Sequence, residues 1–367
     1  MTQSLVDQFL EMVRISSVSR QEGQFAAYAR QVLEDMGFTV EFDTAGEKAG
    51  SDTGNLIATL PGNKAAEALM FCCHMDTVTP GENIQPVIDG EVIRSDGTTI
   101  LGGDDKAGIA AIFEGIRRIQ TRGIPHGPLQ VVLTICEEVG MHGAKWLDYS
   151  KIKAKRAFVL DASGAVGRII VQAPAKDGIR AVIHGRTAHA GLAPERGISA
   201  IQVAARAIER MKLLRIDAET TANLGSIHGG MATNIVADRV EVLAEARSLC
   251  NAKLDAQTAH MKACFEEAAQ EFGVSAEVTV DRSYAAFRLT DADPAVQQCI
   301  AAVRSLGLTP ELVSTGGGSD CNVFNAHGIA AVDLAIGMSE VHTCQEFIKV
   351  ADLELSARLV EALIEQA

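Results

Sequence analysis

Basic residues are in short supply in this chain. It has 33 Lys and Arg against 47 Asp and Glu, for a formal charge of −14. That balance lacks the positive face that phosphate backbones and anionic bilayers demand, which argues against a general nucleic-acid binder or an anionic-membrane protein. No run of 18 apolar residues occurs, so no transmembrane helix is expected. The stretch Met1 to Ser16 is amphipathic and carries Asp7 and Glu11 within its apolar pattern, unlike a signal peptide. The 8 cysteines include no CxxC pair, and several, such as Cys72, Cys73 and Cys136, sit inside apolar runs. Structural zinc on paired thiolates is therefore not expected, and a reducing cytoplasm fits better than a disulfide framework. No G-x-G-x-x-G follows a strand-like run, and there is no Walker motif, which ranks a nucleotide-binding dehydrogenase low. No G-x-S-x-G is present, which disfavours a serine hydrolase. Repeats and low-complexity tracts are missing as well.

What is present is globular. The chain has 367 residues, 47% hydrophobic and 22% charged, and roughly 150 residues per domain predicts two or three domains. Leu5 to Ile15 and Phe25 to Met36 have helical apolar spacing, and Phe38 to Phe42 alternates like a strand. Asn55 to Leu60, Ala68 to Cys73, Leu129 to Ile135 and Ala157 to Leu160 are apolar runs of buried-strand length, with a helical pattern from Lys106 to Gln120 between them. This alternation predicts an α/β sheet covered on both faces by helices. From about Pro174 the order changes to strand (Gly178 to Gly185), helix (Ile198 to Leu214), and two strands (Asn223 to His228, Val240 to Ala246). A helix (Leu254 to Phe272) and a strand (Ala276 to Val280) complete it. That β-α-β-β-α-β order predicts a small ferredoxin-like α+β sandwich. A helix from Ala295 to Leu306, a strand from Ala331 to Ile336 and a closing helix from Ala351 return to the first style. The expected organisation is one domain in two segments, residues 1–174 and 283–367, with residues 175–282 inserted.

Polar residues gather where the apolar runs stop. Leu69 to Cys73 ends in His74-Met75-Asp76, and positions 74 and 76 of an extended chain point the same way. An Asp beside a metal-bound imidazole is a frequent partner for its second nitrogen. Leu101-Gly102-Gly103-Asp104-Asp105-Lys106 precedes a helix; one Asp there is an ordinary cap, but two exceed what a cap needs. Leu129 to Cys136 runs into Glu137-Glu138, Ala157 to Leu160 into Asp161, and Ala331 to Ile336 is followed by His342. Taken singly, each is explained by a strand reaching solvent. Together they supply two His and several carboxylates beyond strand ends, where ligands collect in open α/β sheets. With no thiolate, the set suits zinc, cobalt or manganese in a two-metal site sharing a carboxylate and a water, with a spare carboxylate as base. Spacing alone does not separate Glu137 from Glu138, or Asp104 from Asp105.

In order and across most of the chain, these motifs resemble the zinc exopeptidases that include peptidase T, carboxypeptidase G and aminoacylase. Gly185-Arg186-Thr187-Ala188-His189-Ala190-Gly191 and Pro194-Glu195 match in the inserted segment. The Leu101 to Gly108 motif and Met231-Ala232-Thr233-Asn234-Ile235-Val236 are most similar to peptidase T and its shorter relatives. The resemblance implies that His74, Asp104 and Asp161 hold one metal, and that Asp104, Glu138 and His342 hold the other. Asp104 then bridges, Glu137 is the general base, and Asp76 steadies His74. It implies that His189 reaches the substrate, often from a partner subunit, to stabilise the oxyanion. Asn234 and Arg247 contact substrate, Arg247 as a carboxylate clamp, and Gly317 and Gly318 lie in a Gly-rich substrate loop. The implied protein is a cytoplasmic homodimer, paired through an inserted lid domain, that releases the N-terminal residue of tripeptides or short peptides. N-acyl amino acid deacylation or carboxypeptidase action at the same site is the alternative. A binding protein without catalysis is disfavoured, since it needs no base beside Glu138.

Overall fold

The computed structural model describes residues 4–367, which divide into two compact units. The first comprises residues 4–171, 288–314 and 319–367; the second comprises 172–287 and 315–318.

The first unit is built on a mixed sheet of nine strands. Its centre is four neighbours, Leu129–Thr134, Leu69–His74, Arg156–Ala162 and Ala330–Ala335, each parallel to the next. Two of these, Leu69–His74 and Leu129–Thr134, are buried along their whole length. That is why they read as predominantly apolar runs rather than alternating ones. Antiparallel strands Leu56–Leu60 and Arg168–Ala173 flank this core. The parallel centre brings four carboxyl ends to the same side of the sheet, and every polar cluster noted at a strand end follows one of them.

Helix Gly103–Arg122 packs on the sheet and against the closing helix Val350–Glu365. Two glycines allow this. A Cβ at Gly115 would lie 2.7 Å from Val360, and one at Gly108 would lie 2.6 Å from Cys73 Sγ and from the Leu160 carbonyl. Although the helix begins formally at Gly103, the backbone at Asp104 (φ −79°, ψ 100°) and Asp105 (φ −121°, ψ 27°) is not helical. Regular helix starts at Lys106, as the apolar period predicts, so neither Asp acts as a simple cap.

Some elements were not anticipated. Pro86–Asp89, Val92–Ser95 and Phe347–Lys349 form a separate three-stranded sheet, too short and too polar to show a period. The helix expected from Ile198 to Leu214 spans only Ala200–Arg210; Leu214 takes φ +62° and pairs with Ala222 as a short strand. Its apolar side chain had extended the helical pattern past the real end.

The second unit is a five-stranded antiparallel sheet with helices Ala200–Arg210 and Asn251–Glu271. Its strand order is Leu214–Arg215, Thr220–Gly229, Arg239–Ser248, Ala175–His184, Ser275–Tyr284. Its own core includes Ile179, Ile183, Val203, Val242, Leu254 and Phe265.

Candidate metal centre

His74 is the last residue of its strand and is 2% exposed. Its Nε2 lies 3.0 Å from Asp104 Oδ1 and 3.5 Å from Asp161 Oδ1. The second oxygen of Asp104 lies 3.2 Å from His342 Nε2, which in turn stands 2.8 Å from Glu138 Oε1. The Asp104 carboxylate thus sits between two imidazoles, one oxygen toward each. By distance, ligand atoms of His74, Asp104 and Glu138 lie within 4.8 Å of one another, as do those of His74, Asp105 and Asp161. The structure therefore brings Asp105 into the cluster beside the residues expected there. Its Oδ2 accepts from the His74 backbone amide at 3.2 Å, while its buried Oδ1 has no hydrogen-bond partner among the described residues.

The other nitrogen of His74, Nδ1, meets the backbone carbonyl of Asp76 at 2.8 Å, closer than the Asp76 carboxylate at 3.5 Å. That carboxylate has a different occupation. It accepts from the amides of Glu137 (2.9 Å) and Glu138 (3.2 Å) and from Ser19 Oγ (2.6 Å). Asp76 thus steadies His74 through its main chain and the Glu137-Glu138 turn through its side chain.

Charge in the cluster is strongly perturbed. Burial, then the neighbouring charge of Asp161, hold the Glu137 carboxyl well above the ordinary range. Burial likewise raises Asp105 and Asp161. For Asp104 burial acts upward, but hydrogen bonds from His342 and His74 outweigh it and hold the group below its usual value. Burial opposes the charge on His74, yet Asp161 and Asp104 hold its pKa well above 6.5. The carboxylates of Asp104 and Glu138 push His342 up to about 10. Bare, the cluster retains protons to offset its crowded carboxylates. A divalent cation does the same task better and displaces them. The unpartnered Asp105 oxygen, the two imidazoles and the absence of thiolate from the cluster all fit such an ion.

Several carboxylates around the site escaped the sequence reading. Glu346, 1% exposed, accepts from the amides of Leu101, Gly102 and Asp104. Asp333 accepts from the Asp161 amide at 3.2 Å and from Ser319 Oγ at 2.9 Å. Glu22 accepts from the Cys136 amide at 3.0 Å. Asp333 had a signal, being a charge inside the apolar run from Ala331 to Ile336, where an unpaired carboxylate is costly. Glu346 and Glu22 lie in polar segments without any period.

The remaining site residues fall in the second unit. His189 bridges backbone with Ile235, and its Nδ1 accepts from the Gly191 and Leu192 amides at 3.1 and 3.2 Å. The Asn234 carbonyl accepts from the Ala190 amide at 3.0 Å, so the His189 and Asn234 segments are neighbours. Arg247 is paired with Glu245 at 2.8 Å and donates to the Gly316 carbonyl at 3.3 Å. Gly318 lies against Tyr284, where a Cβ would approach the ring to 2.5 Å, and the Gly317 amide donates to Thr315 Oγ1 at 3.2 Å.

Residues 70–366 match the model of peptidase family M20/M25/M40. The chain is 46% identical over 363 residues to the "uncharacterized protein YqjE" of Bacillus subtilis (strain 168), covering 99% of this chain and 98% of the relative. It is 26% identical to peptidase T of Escherichia fergusonii over 413 residues, covering 98% of each. Among solved structures it is similar to the aminopeptidase PepT of Bacillus cereus, at 47% identity and TM-score 0.93, covering 99% of this chain and 97% of that one. It is also similar to a tripeptidase of Staphylococcus aureus, at 41% identity and TM-score 0.96, covering 98% and 97%. With one family model spanning most of the sequence and these likenesses along nearly its whole length, the chain belongs to the M20/M25/M40 peptidases, as a peptidase T-like member.

Proposed function

We propose that this protein is a metal-dependent aminopeptidase that releases the N-terminal residue of tripeptides and other short peptides. The observation that carries the reading is the Asp104 carboxylate set between His74 and His342, with Glu138 and Asp161 alongside. An aminopeptidase and a tripeptidase are the structures it resembles at high identity.

His74, Asp104 and Asp161 would hold one ion, with Asp105 beside them, and Asp104, Glu138 and His342 the other. We assign zinc as the native metal because two imidazoles and several carboxylates suit it, with cobalt and manganese as substitutes. Ions held there would supply Lewis-acid polarisation of the scissile carbonyl and would lower the pKa of water toward neutrality. Glu137 does the proton work. Its carboxylate takes a proton from the attacking water and passes it to the leaving amine, and its backbone is fixed for this by Asp76. His189, Asn234, Arg247 and the Gly317-Gly318 loop are proposed to contact the substrate, with His189 donating to the developing oxyanion. We further propose a cytoplasmic homodimer formed through the second unit.

A free-amine tripeptide assayed beside its N-acetylated copy, with Zn²⁺ and with a chelator, tests the reading. Zinc-dependent cleavage of the free-amine peptide alone, with its first residue as product, is expected. Preference for the acetylated peptide would replace the aminopeptidase with a deacylase or carboxypeptidase.

A further inference from the structure

His342 occupies an unusual place among the clustered side chains. It is half exposed, takes φ +63°, and follows its strand by several residues rather than ending it. Its position depends on the loop that carries it. That loop is closed at its base by paired backbone hydrogen bonds between Ser339 and Phe347, at 3.1 and 3.0 Å. Inside it, Thr343 Oγ1 donates to the Glu340 carbonyl at 2.7 Å, and the Glu346 amide donates to the Thr343 carbonyl at 3.1 Å. The loop is thus internally braced, with His342 near one end of the brace and Glu346 at the other.

Glu346 points away from solvent into the turn that carries Asp104. Its Oε2 accepts from the amides of Leu101 and Gly102, both at 2.8 Å, and its Oε1 from the amide of Asp104 at 2.9 Å. Gly102 adopts φ +71°, which turns successive amides toward one point. Gly103 leaves room, since a Cβ there would lie 3.0 Å from Glu346 Oε1. Both oxygens are used, so the three amides engage the whole carboxyl group. Other carboxylates hold site backbones too: Asp105 takes the His74 amide, Asp76 those of Glu137 and Glu138, and Asp333 that of Asp161. Glu346 differs in tying the Asp104 turn to the loop of His342.

We propose that Glu346 is a positioning residue: by clamping the 101–104 turn onto the 339–347 loop, it sets the separation of Asp104 and His342 and so the affinity of the metal site they share with Glu138. Assigning it this role rests on the reading of Asp104, Glu138 and His342 as metal ligands. A Gln at 346 keeps the shape but turns an NH₂ toward at least one of the three amides, so the clamp loses a bond. Partners behind metal ligands typically govern affinity by about 10–100-fold.

Zn²⁺ titration with competing chelator into wild type, Glu346→Gln and His342→Ala tests this. Wild type should bind two ions and His342→Ala one. Glu346→Gln should keep the first constant and weaken the second by about 10–100-fold. Hydrogen exchange at the amides of Leu101, Gly102 and Asp104 should rise in the same variant. Should the Gln form fail to fold, Glu346→Asp, which retracts the carboxylate by one methylene, should show the same selective loss. Wild-type constants for both ions in a folded Glu346 variant, even with a lowered melting temperature, would reduce the residue to a structural role and overturn the proposal. If His342→Ala itself binds both ions as wild type does, the ligand reading fails on its own evidence, independently of Glu346.

Discussion

Glu137→Ala should keep both metal ions and lose about 10²–10⁴-fold in kcat, the range typical of a positioned general base. Glu137 and Glu138 are neighbours at the end of one strand, but the structure separates their surroundings. Glu138 faces His342 at 2.8 Å and belongs to a group with His74 and Asp104 close enough to share an ion. Among the described residues, Glu137 belongs to no such group. Its backbone is fixed by Asp76, and burial holds its carboxyl well above the ordinary range. A nearby divalent charge would favour the ionised form, which is the form able to accept a proton. KM should change little, since Glu137 is needed for proton transfer rather than for holding the peptide. Glu138→Ala is the contrast and should lose an ion. Metal analysis and steady-state kinetics on the two variants decide the matter; parallel loss of metal and activity in Glu137→Ala would make it a ligand.

Removing the metal should lower stability and also reverse its dependence on pH. In the bare cluster Glu137, Asp105 and Asp161 have raised pKa values, so between about pH 5 and neutrality the folded chain keeps protons that the unfolded chain has released. Stability then falls as pH rises. The imidazoles act in the same direction. Stabilisation from His74 and His342 is complete below their ordinary value of 6.5 and is lost as pH climbs, toward about 10 for His342. Asp104 and Asp76, held below 3.8, have the opposite sense, but their contribution is lost only in acid below that value. Metal-free protein should therefore become less stable across the window from about pH 5 to 9. With Zn²⁺ the slope should turn upward, because ligands must shed protons to bind. At free zinc about 1,000 times the dissociation constant, each site adds about 4 kcal/mol. Denaturant melts at several pH values, with zinc and with chelator, read this directly. Identical slopes under both conditions would remove metal binding from the account of the cluster.

Much of the central sheet was legible because burial on both faces leaves a simple mark. Leu69 to Cys73 is an unbroken apolar run and Leu129 to Ile135 is apolar but for Gln130 and Thr134. One polar end is explained by a strand reaching solvent, but several gathered beyond strand ends are not. His74, Glu137, Glu138 and Asp161 stand out for that reason. The choice of Asp104 over Asp105 was not legible. It turns on non-helical backbone at both residues, which carries one carboxylate between two imidazoles and the other under the His74 amide. Glu346 was illegible for a different reason. A Glu at the end of the polar segment Ser339 to Glu346 looks like solvated surface, and its burial follows from the loop folding back onto Leu101 to Asp104. The small sheet holding Phe347–Lys349 beside Val92–Ser95 was missed with it, since short strands paired across more than two hundred residues leave no local pattern.

The central claim is that one carboxylate, Asp104, serves two metal ions. Metal content after equilibrium dialysis against buffered Zn²⁺, on wild type, His342→Ala and Asp104→Asn, tests it most directly. Wild type should hold two ions per chain, His342→Ala one, and Asp104→Asn neither at wild-type affinity, with circular dichroism showing all three folded. Two tightly held ions in Asp104→Asn would contradict the claim and move the shared position elsewhere in the cluster, with Asp105 the first residue to examine.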